Sequence, residues 1–311
     1  MTGWSVIFDL GGVVLGWDPV RAYAQVLPAD QIAAFLTKID FFDWNYRNDA
    51  GRAFEVGEQL LIEQFPDEAV AIQAYRTHFP QALTGMVEGT SAVIAELAQA
   101  GVRLIGLTNW SAETFPHALE RFGILDRLEG IVVSGTELVA KPDPAIFQLT
   151  CERYGLEPTR TVFIDDSPPN VAAARRLGIS GITFTDAGRL RAELVTLGLL
   201  GERPSVTQPV FHLAIRAAWA EAQRSGDFGW SSRDVSYERE GYVHLSFASQ
   251  VAGVRGRFYG DVASADLVLL ELDPSRLDAP LIVEDLGAGE AYPHLYAPLP
   301  PAAVVAVHDL D

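Results

Sequence analysis

Four short stretches in the first half of the chain carry side chains that could act together on an anionic substrate. They are FDLGGV with Asp9, LTNW with Thr108 and Asn109, KPDP with Lys141, and FIDDSPPN with Asp165 and Asp166. Asp9 ends the short apolar run VIF and is followed by Gly11 and Gly12, the pattern of a buried strand that stops abruptly. Taken alone, Asp9 reads equally well as a strand-ending residue that caps the next turn. The other stretches also follow apolar segments, and a parallel sheet brings the C-terminal ends of its strands to one edge, where such sheets place their ligands. Two adjacent aspartates after an apolar strand are costly unless paired or metal-bound. Together with Asp9 they make an oxygen site suited to Mg²⁺, a hard cation.

The elements that must position these groups follow from the apolar pattern. Segments 5–8, 102–107, 130–133 and 161–164 read as strands, and 90–100, 112–122 and 170–177 as helices between them. The alternation predicts an α/β fold with a Rossmann-like, doubly wound parallel sheet. Some 90 residues separate the first two strands, far more than one crossover requires. Residues 18–85, rich in helix formers and aromatics, are therefore expected to form an inserted helical cap. A long insertion at the ligand edge serves as a lid or specificity element. The first domain then spans 1–197, with its core at 1–17 and 86–197, and a proline-marked linker follows at 198–208. Residues 209–311 switch to strand-like runs and read as a small α+β domain.

The bulk composition narrows the function. A chain of 311 residues suits about two domains, and its 49% hydrophobic content is ordinary for a globular protein. Net charge is −18 and both halves are acidic, so the basic footprint of nucleic-acid binding is missing and a small molecule is the better partner. The single cysteine, Cys151, excludes an intrachain disulfide and a cysteine-based zinc site. The N-terminus lacks a basic region followed by a long apolar stretch, and no apolar run reaches the roughly 18 residues of a membrane span. The expectation is a cytoplasmic protein that engages neither nucleic acid nor membrane.

In their order and spacing the four motifs resemble the haloacid dehalogenase superfamily over about residues 4–197. The resemblance implies that Asp9 is a nucleophile towards a phosphoryl group or a halogenated carbon, with Thr108 and Lys141 holding the anionic oxygens. Mg²⁺ would be held by Asp9, the carbonyl of Gly11, Asp166 directly and Asp165 nearby. Asn109 and Gly12 would border the substrate, and Gly12 would let the backbone turn sharply beside the metal. One departure stands out. Most phosphatases of the superfamily have a second aspartate two residues after the nucleophile, as general acid and base, and here that residue is Gly11. The expected activity is a phosphatase acting on a small phosphorylated metabolite through an aspartyl-phosphate intermediate. A subgroup of sugar-phosphate phosphatases has glycine at the same place. The alternatives are a haloacid dehalogenase, against which the Asp165–Asp166 pair argues, and a non-catalytic nucleotide-binding protein.

The second half offers His212 in VFHLA, His244 and Ser246 in GYVHLS, Glu284 in LIVED, and His294 in YPHLY. Each histidine alone reads as structural, hydrogen-bonded at a strand end; three in one small domain, with Ser246 and Glu284, predict a shared pocket. A three-histidine metal site is open but lacks the short spacings such sites use. Residues 209–310 resemble an uncharacterised bacterial domain family with an ADP-ribosyltransferase-like fold. That resemblance implies a nucleotide or NAD-derived ligand, with His212 on a ribose, His244 and Ser246 beside a nicotinamide, and Glu284 or His294 acting on the glycosidic bond. Tyr292, Pro293 and Tyr296 read as packing and turn residues.

Overall fold

The structure is a computed structural model and describes residues 3–287 and 289–310. Its first half is built on a parallel sheet in which β1 (Ser5–Phe8) lies at the centre. β4 (Arg103–Thr108) and β6 (Thr161–Asp165) flank it, with β5 (Gly130–Val133) and β7 (Ser180–Thr183) at the edges. Ser5 is aligned with Arg103 on one side and with Thr161 on the other. Side chains of a strand alternate between faces. Val6 and Phe8 therefore enter the large cluster with Val93, Ile94 and Leu97, while Ile7 enters the opposite layer with Ile146, Phe147 and Ala173. β1 is buried on both faces, which is why it reads as an unbroken apolar run.

The insertion after β1 is helical as expected, with helices such as Ala29–Lys38, Phe41–Asp49, Phe54–Gln64 and Ala69–Thr77. It is carried on an antiparallel ribbon of β2 (Leu15–Trp17) and β3 (Leu83–Met86), which pairs Leu15 with Met86. Three residues of β2 are too few to show an alternation, so this ribbon is silent in the sequence. The cap has its own aromatic centre: Tyr75 packs on Tyr23, Phe41, Trp44, Phe54 and Phe79, with ring centroids 5.0–6.1 Å apart.

The second half holds two three-stranded antiparallel sheets. One places β10 (Leu267–Leu272) between β8 (Val210–Ile215) and β13 (Val304–Asp309). The other places β12 (Tyr292–Leu295) between β11 (Leu281–Glu284) and β9 (Val243–His244). The expectation that Tyr292 and Pro293 are turn residues is corrected: both lie in β12. Proline rarely enters a central strand because it cannot donate to the ladder. Here the carbonyl of Pro293 still accepts the Leu245 N–H at 2.9 Å. Helices Arg216–Ser225 and Val251–Phe258 complete this domain.

The two halves touch. Ala92 and Ala95 from the helix Thr90–Gln99 share a small core with Tyr242, Ile282 and Tyr296. Leu199 and Leu200 are buried in the first core, and Val206 packs on the second. No helix among the described residues is long and apolar enough to cross a membrane.

Candidate active site

The four motifs meet at the C-terminal edge of the parallel sheet, beneath the cap. Asp9 directly follows β1 and Thr108 ends β4, while Asp165 ends β6 and Asp166 follows it. The Lys141 side chain, 1% exposed, reaches in from the stretch before the helix Pro144–Tyr154. Its Nζ lies 2.8 Å from Asp9 Oδ1 and 2.7 Å from Asp165 Oδ2, and donates to the Leu107 carbonyl at 2.9 Å. Burial raises the Asp9 carboxyl above the usual carboxylate range, Lys141 opposes this, and the charge of Asp165 adds to it.

Asp165 is wholly buried and its oxygens are taken up. Besides Lys141 it accepts Ser167 N–H at 2.8 Å and Asn170 Nδ2 at 3.1 Å. Asp166 is exposed. Partial burial and the Asp165 charge raise its carboxyl. Oxygens of Asp9, Asp165 and Asp166 lie within 4.8 Å of one another, and among the described residues Lys141 is the cation that pairs with this cluster. Three carboxylates against one ammonium make a set of hard oxygen donors that fits a divalent cation such as Mg²⁺. Gly12 belongs to that fit: its φ is +76°, and a Cβ there would stand 2.4 Å from Asp166 Oδ2.

Asn109 lines the cavity, yet its amide is spent on the backbone of Lys141. Its Nδ2 donates to the Lys141 carbonyl and its Oδ1 accepts the Lys141 N–H, both at 2.8 Å. This reciprocal pair fastens the lysine stretch to the end of β4. Thr108, Gly11 and Gly12 line the same cavity of about 490 Å³, together with Asp9 and Asp166. Much of its remaining wall is one the sequence did not reveal, with Trp17, Phe42, Asn45, Tyr46, Asp49 and Tyr75 on the cap side. The aromatic density of FFDWNY signals Phe42, Asn45 and Tyr46, while Trp17, Asp49 and Tyr75 lie outside that stretch and carry no signal, since cap residues follow no strand-end rule.

In the second half, His212, His244, Ser246, Glu284 and His294 all line one cavity of about 330 Å³. The His212 Nδ1–H donates to the His244 carbonyl at 2.8 Å, and His294 Nδ1 lies 3.0 Å from Glu284 Oε1. Burial lowers both His212 and His244 to about 4. Glu284 is tied across the chain to Arg127 at 2.8 Å and to the Tyr296 hydroxyl. Burial alone would raise this carboxyl, but hydrogen bonds from His294, Arg127 and Tyr296 outweigh it and hold the group at about 2. The three histidines do not form a metal-holding group. Among the described residues the aspartate cluster of the first half is the one group of such side chains close enough together to hold a metal ion. Two of the three rings have already committed Nδ1 to hydrogen bonds.

Residues 5–178 match the model of the haloacid dehalogenase-like hydrolases. The chain belongs to that family. This hydrolase is similar to the sesquiterpene phosphatase of Aspergillus oryzae, with 27% identity over 192 residues, which cover 59% of this chain and 90% of that protein. It is also similar to the validoxylamine A 7′-phosphate phosphatase of Streptomyces hygroscopicus subsp. limoneus, at 29% identity over 61% of this chain and 80% of that one. A HAD-family enzyme of Bacteroides thetaiotaomicron solved as a magnesium complex aligns at 22% identity and a TM-score of 0.49, covering 62% of this chain and 98% of that one. Residues 213–307 of the hydrolase match a separate family described as a protein of unknown function, DUF952.

Proposed function

We propose that this hydrolase is a Mg²⁺-dependent phosphohydrolase that acts on a small phosphorylated metabolite through an aspartyl-phosphate on Asp9. The observation that carries the reading is the pairing of Asp9 with buried Lys141 beside the Asp165–Asp166 oxygens. A bound Mg²⁺ would be held by Asp9, Asp166 and the Gly11 carbonyl, and would draw charge from the phosphoryl oxygens. Lys141 favours the ionised form of Asp9, which burial alone disfavours, and so keeps it a nucleophile. Thr108 and Lys141 stabilise the charge that builds on the transferring group. Asp165 holds Lys141 in place. A haloacid dehalogenase would have no use for the exposed Asp166 carboxylate packed against Gly12.

The aromatic cap wall suits an organic group with apolar faces. The second cavity, with its histidines and Ser246, suits a nucleotide or NAD-derived ligand. The deciding experiment is phosphate release from sugar phosphates, nucleotides and ADP-ribose phosphates, with Mg²⁺ and with EDTA. Turnover that requires Mg²⁺ supports the reading. No release from any ester, or release indifferent to EDTA, overturns it.

A further inference from the structure

A phosphate ester leaves as an alkoxide unless a proton reaches it, and Gly11 has no side chain to supply one. We propose that Asp49, from the cap, is the proton donor and acceptor of the first site; the inference rests on the phosphohydrolase reading.

Asp49 closes the cap helix Phe41–Asp49 and lines the same cavity as Asp9, Thr108 and Asp166. It is fixed from both sides of that cavity. Its Oδ1 accepts the Ser111 N–H at 2.9 Å, three residues beyond Thr108, and its Oδ2 accepts Asn45 Nδ2 at 2.8 Å from within the cap. The Asp49 carbonyl accepts the Ser134 hydroxyl, which ties the backbone to the end of β5. A carboxyl held by the core loop as well as by its own helix keeps its place when the cap is closed. Among the described residues no cation pairs with it, unlike Asp9, whose charge is met by Lys141. Burial holds Asp49 well above the usual carboxylate range, with the Ser111 hydrogen bond opposing. A carboxyl whose burial favours the protonated form can donate, and in that form it does not repel the phosphate dianion.

The steps balance. Asp9 attacks phosphorus, the bond from phosphorus to the leaving oxygen breaks, and that oxygen takes the proton of Asp49. In the second half-reaction the Asp49 carboxylate takes a proton from water as the water oxygen attacks phosphorus. The Asp9–phosphorus bond breaks, and phosphate leaves with Asp49 reprotonated.

The test uses the full chain with Mg²⁺ and two monoesters. 4-Nitrophenyl phosphate has a leaving group that needs no proton, and glycerol phosphate has one that does. In Asp49→Asn the pre-steady-state burst of 4-nitrophenol is expected to stay within about 3-fold of the parent rate, while single-turnover release of glycerol slows about 10²–10⁴-fold; steady-state turnover of both esters falls, because the second half-reaction also needs Asp49. In Asp49→Gly, added formate is expected to restore part of the glycerol phosphate turnover. Equal slowing of the two release steps, a change in KM alone, or no slowing of glycerol release would overturn the role of Asp49. If the parent chain hydrolysed neither ester in Mg²⁺, while releasing phosphate from no other ester, the phosphohydrolase reading itself would fall, and this inference with it.

Discussion

The Nζ of Lys141 lies 2.8 Å from the Oδ1 of Asp9, and neither group is more than marginally exposed. The same ammonium meets Asp165, so one lysine neutralises groups from two adjacent strands at their C-terminal ends. Removing it leaves two carboxylates in a dry site.

Lys141→Met is therefore expected to lower stability by about 3–5 kcal/mol, the usual cost of stranding a buried charge. It also removes activity. Asp9→Asn is expected to abolish turnover with no loss of melting temperature, since the amide keeps the volume and Lys141 keeps Asp165. Thermal unfolding of both variants beside the parent checks this. A Lys141→Met chain as stable as the parent would contradict it.

Asp165 and Asp166 are adjacent in sequence but are expected to fail differently. Asp165→Ala should cost about 3–5 kcal/mol, because Lys141 loses a buried partner. Asp166→Ala should move stability by no more than about 0.5 kcal/mol, as an exposed site allows, while abolishing the Mg²⁺ response more completely. Calorimetric Mg²⁺ titration and denaturant unfolding separate the two effects. Equal metal affinity in both variants would sink the assignment of Asp166 as the direct ligand.

Gly12→Ala is expected to weaken Mg²⁺ binding. The added Cβ would press on Asp166 Oδ2, and at φ +76° it also carries about 1–2 kcal/mol of backbone strain. An unchanged Mg²⁺ dependence of phosphate release would show that Asp166 does not need this approach.

Much of this was legible in the sequence because strands end where apolar runs end. Asp9, Thr108 and Asp165 could be placed on one edge from the strands they end or follow. Lys141 instead lies eight residues past β5, beyond the short helix Ser134–Glu137, and reaches the edge by its side chain. The cap could be delimited only by its length: Trp17, Tyr75 and Asp49 approach the site from separate elements, and nothing local marks which face they turn inward. β7 is a short edge strand and β12 contains Pro293, so neither shows a clean strand pattern. The five C-terminal residues could be grouped by chemistry and do share a cavity. The partner that holds Glu284, Arg127, lies 157 residues away in the other domain and was beyond any spacing argument.

That cross-domain pair gives its own expectation. Glu284 is nearly buried, and Arg127→Met should destabilise the C-terminal domain by about 3–5 kcal/mol. Glu284→Gln added to Arg127→Met should cost less than the two single changes summed. Additive losses in thermal unfolding would show that the pair is not coupled.

The C-terminal domain should also lose stability in mild acid. His212, buried in its cavity, has its pKa lowered from 6.5 to about 4, so the unfolded chain binds the proton first. Stability then falls as pH drops from about 6.5 towards 4 and is fully present above that window. Glu284, lowered to about 2, adds a further loss below about 4.5. In His212→Gln the first of these slopes should flatten. A melting temperature independent of pH between 7 and 4 would contradict the buried, uncharged state of His212.

The most direct measurement is a borohydride quench of the chain while it turns over a phosphate ester in Mg²⁺, followed by peptide mapping. An aspartyl-phosphate on Asp9 is reduced to the alcohol, so homoserine should appear at position 9 with Mg²⁺ and not with EDTA. Phosphate released at full rate with Asp9 recovered unmodified would contradict the covalent mechanism.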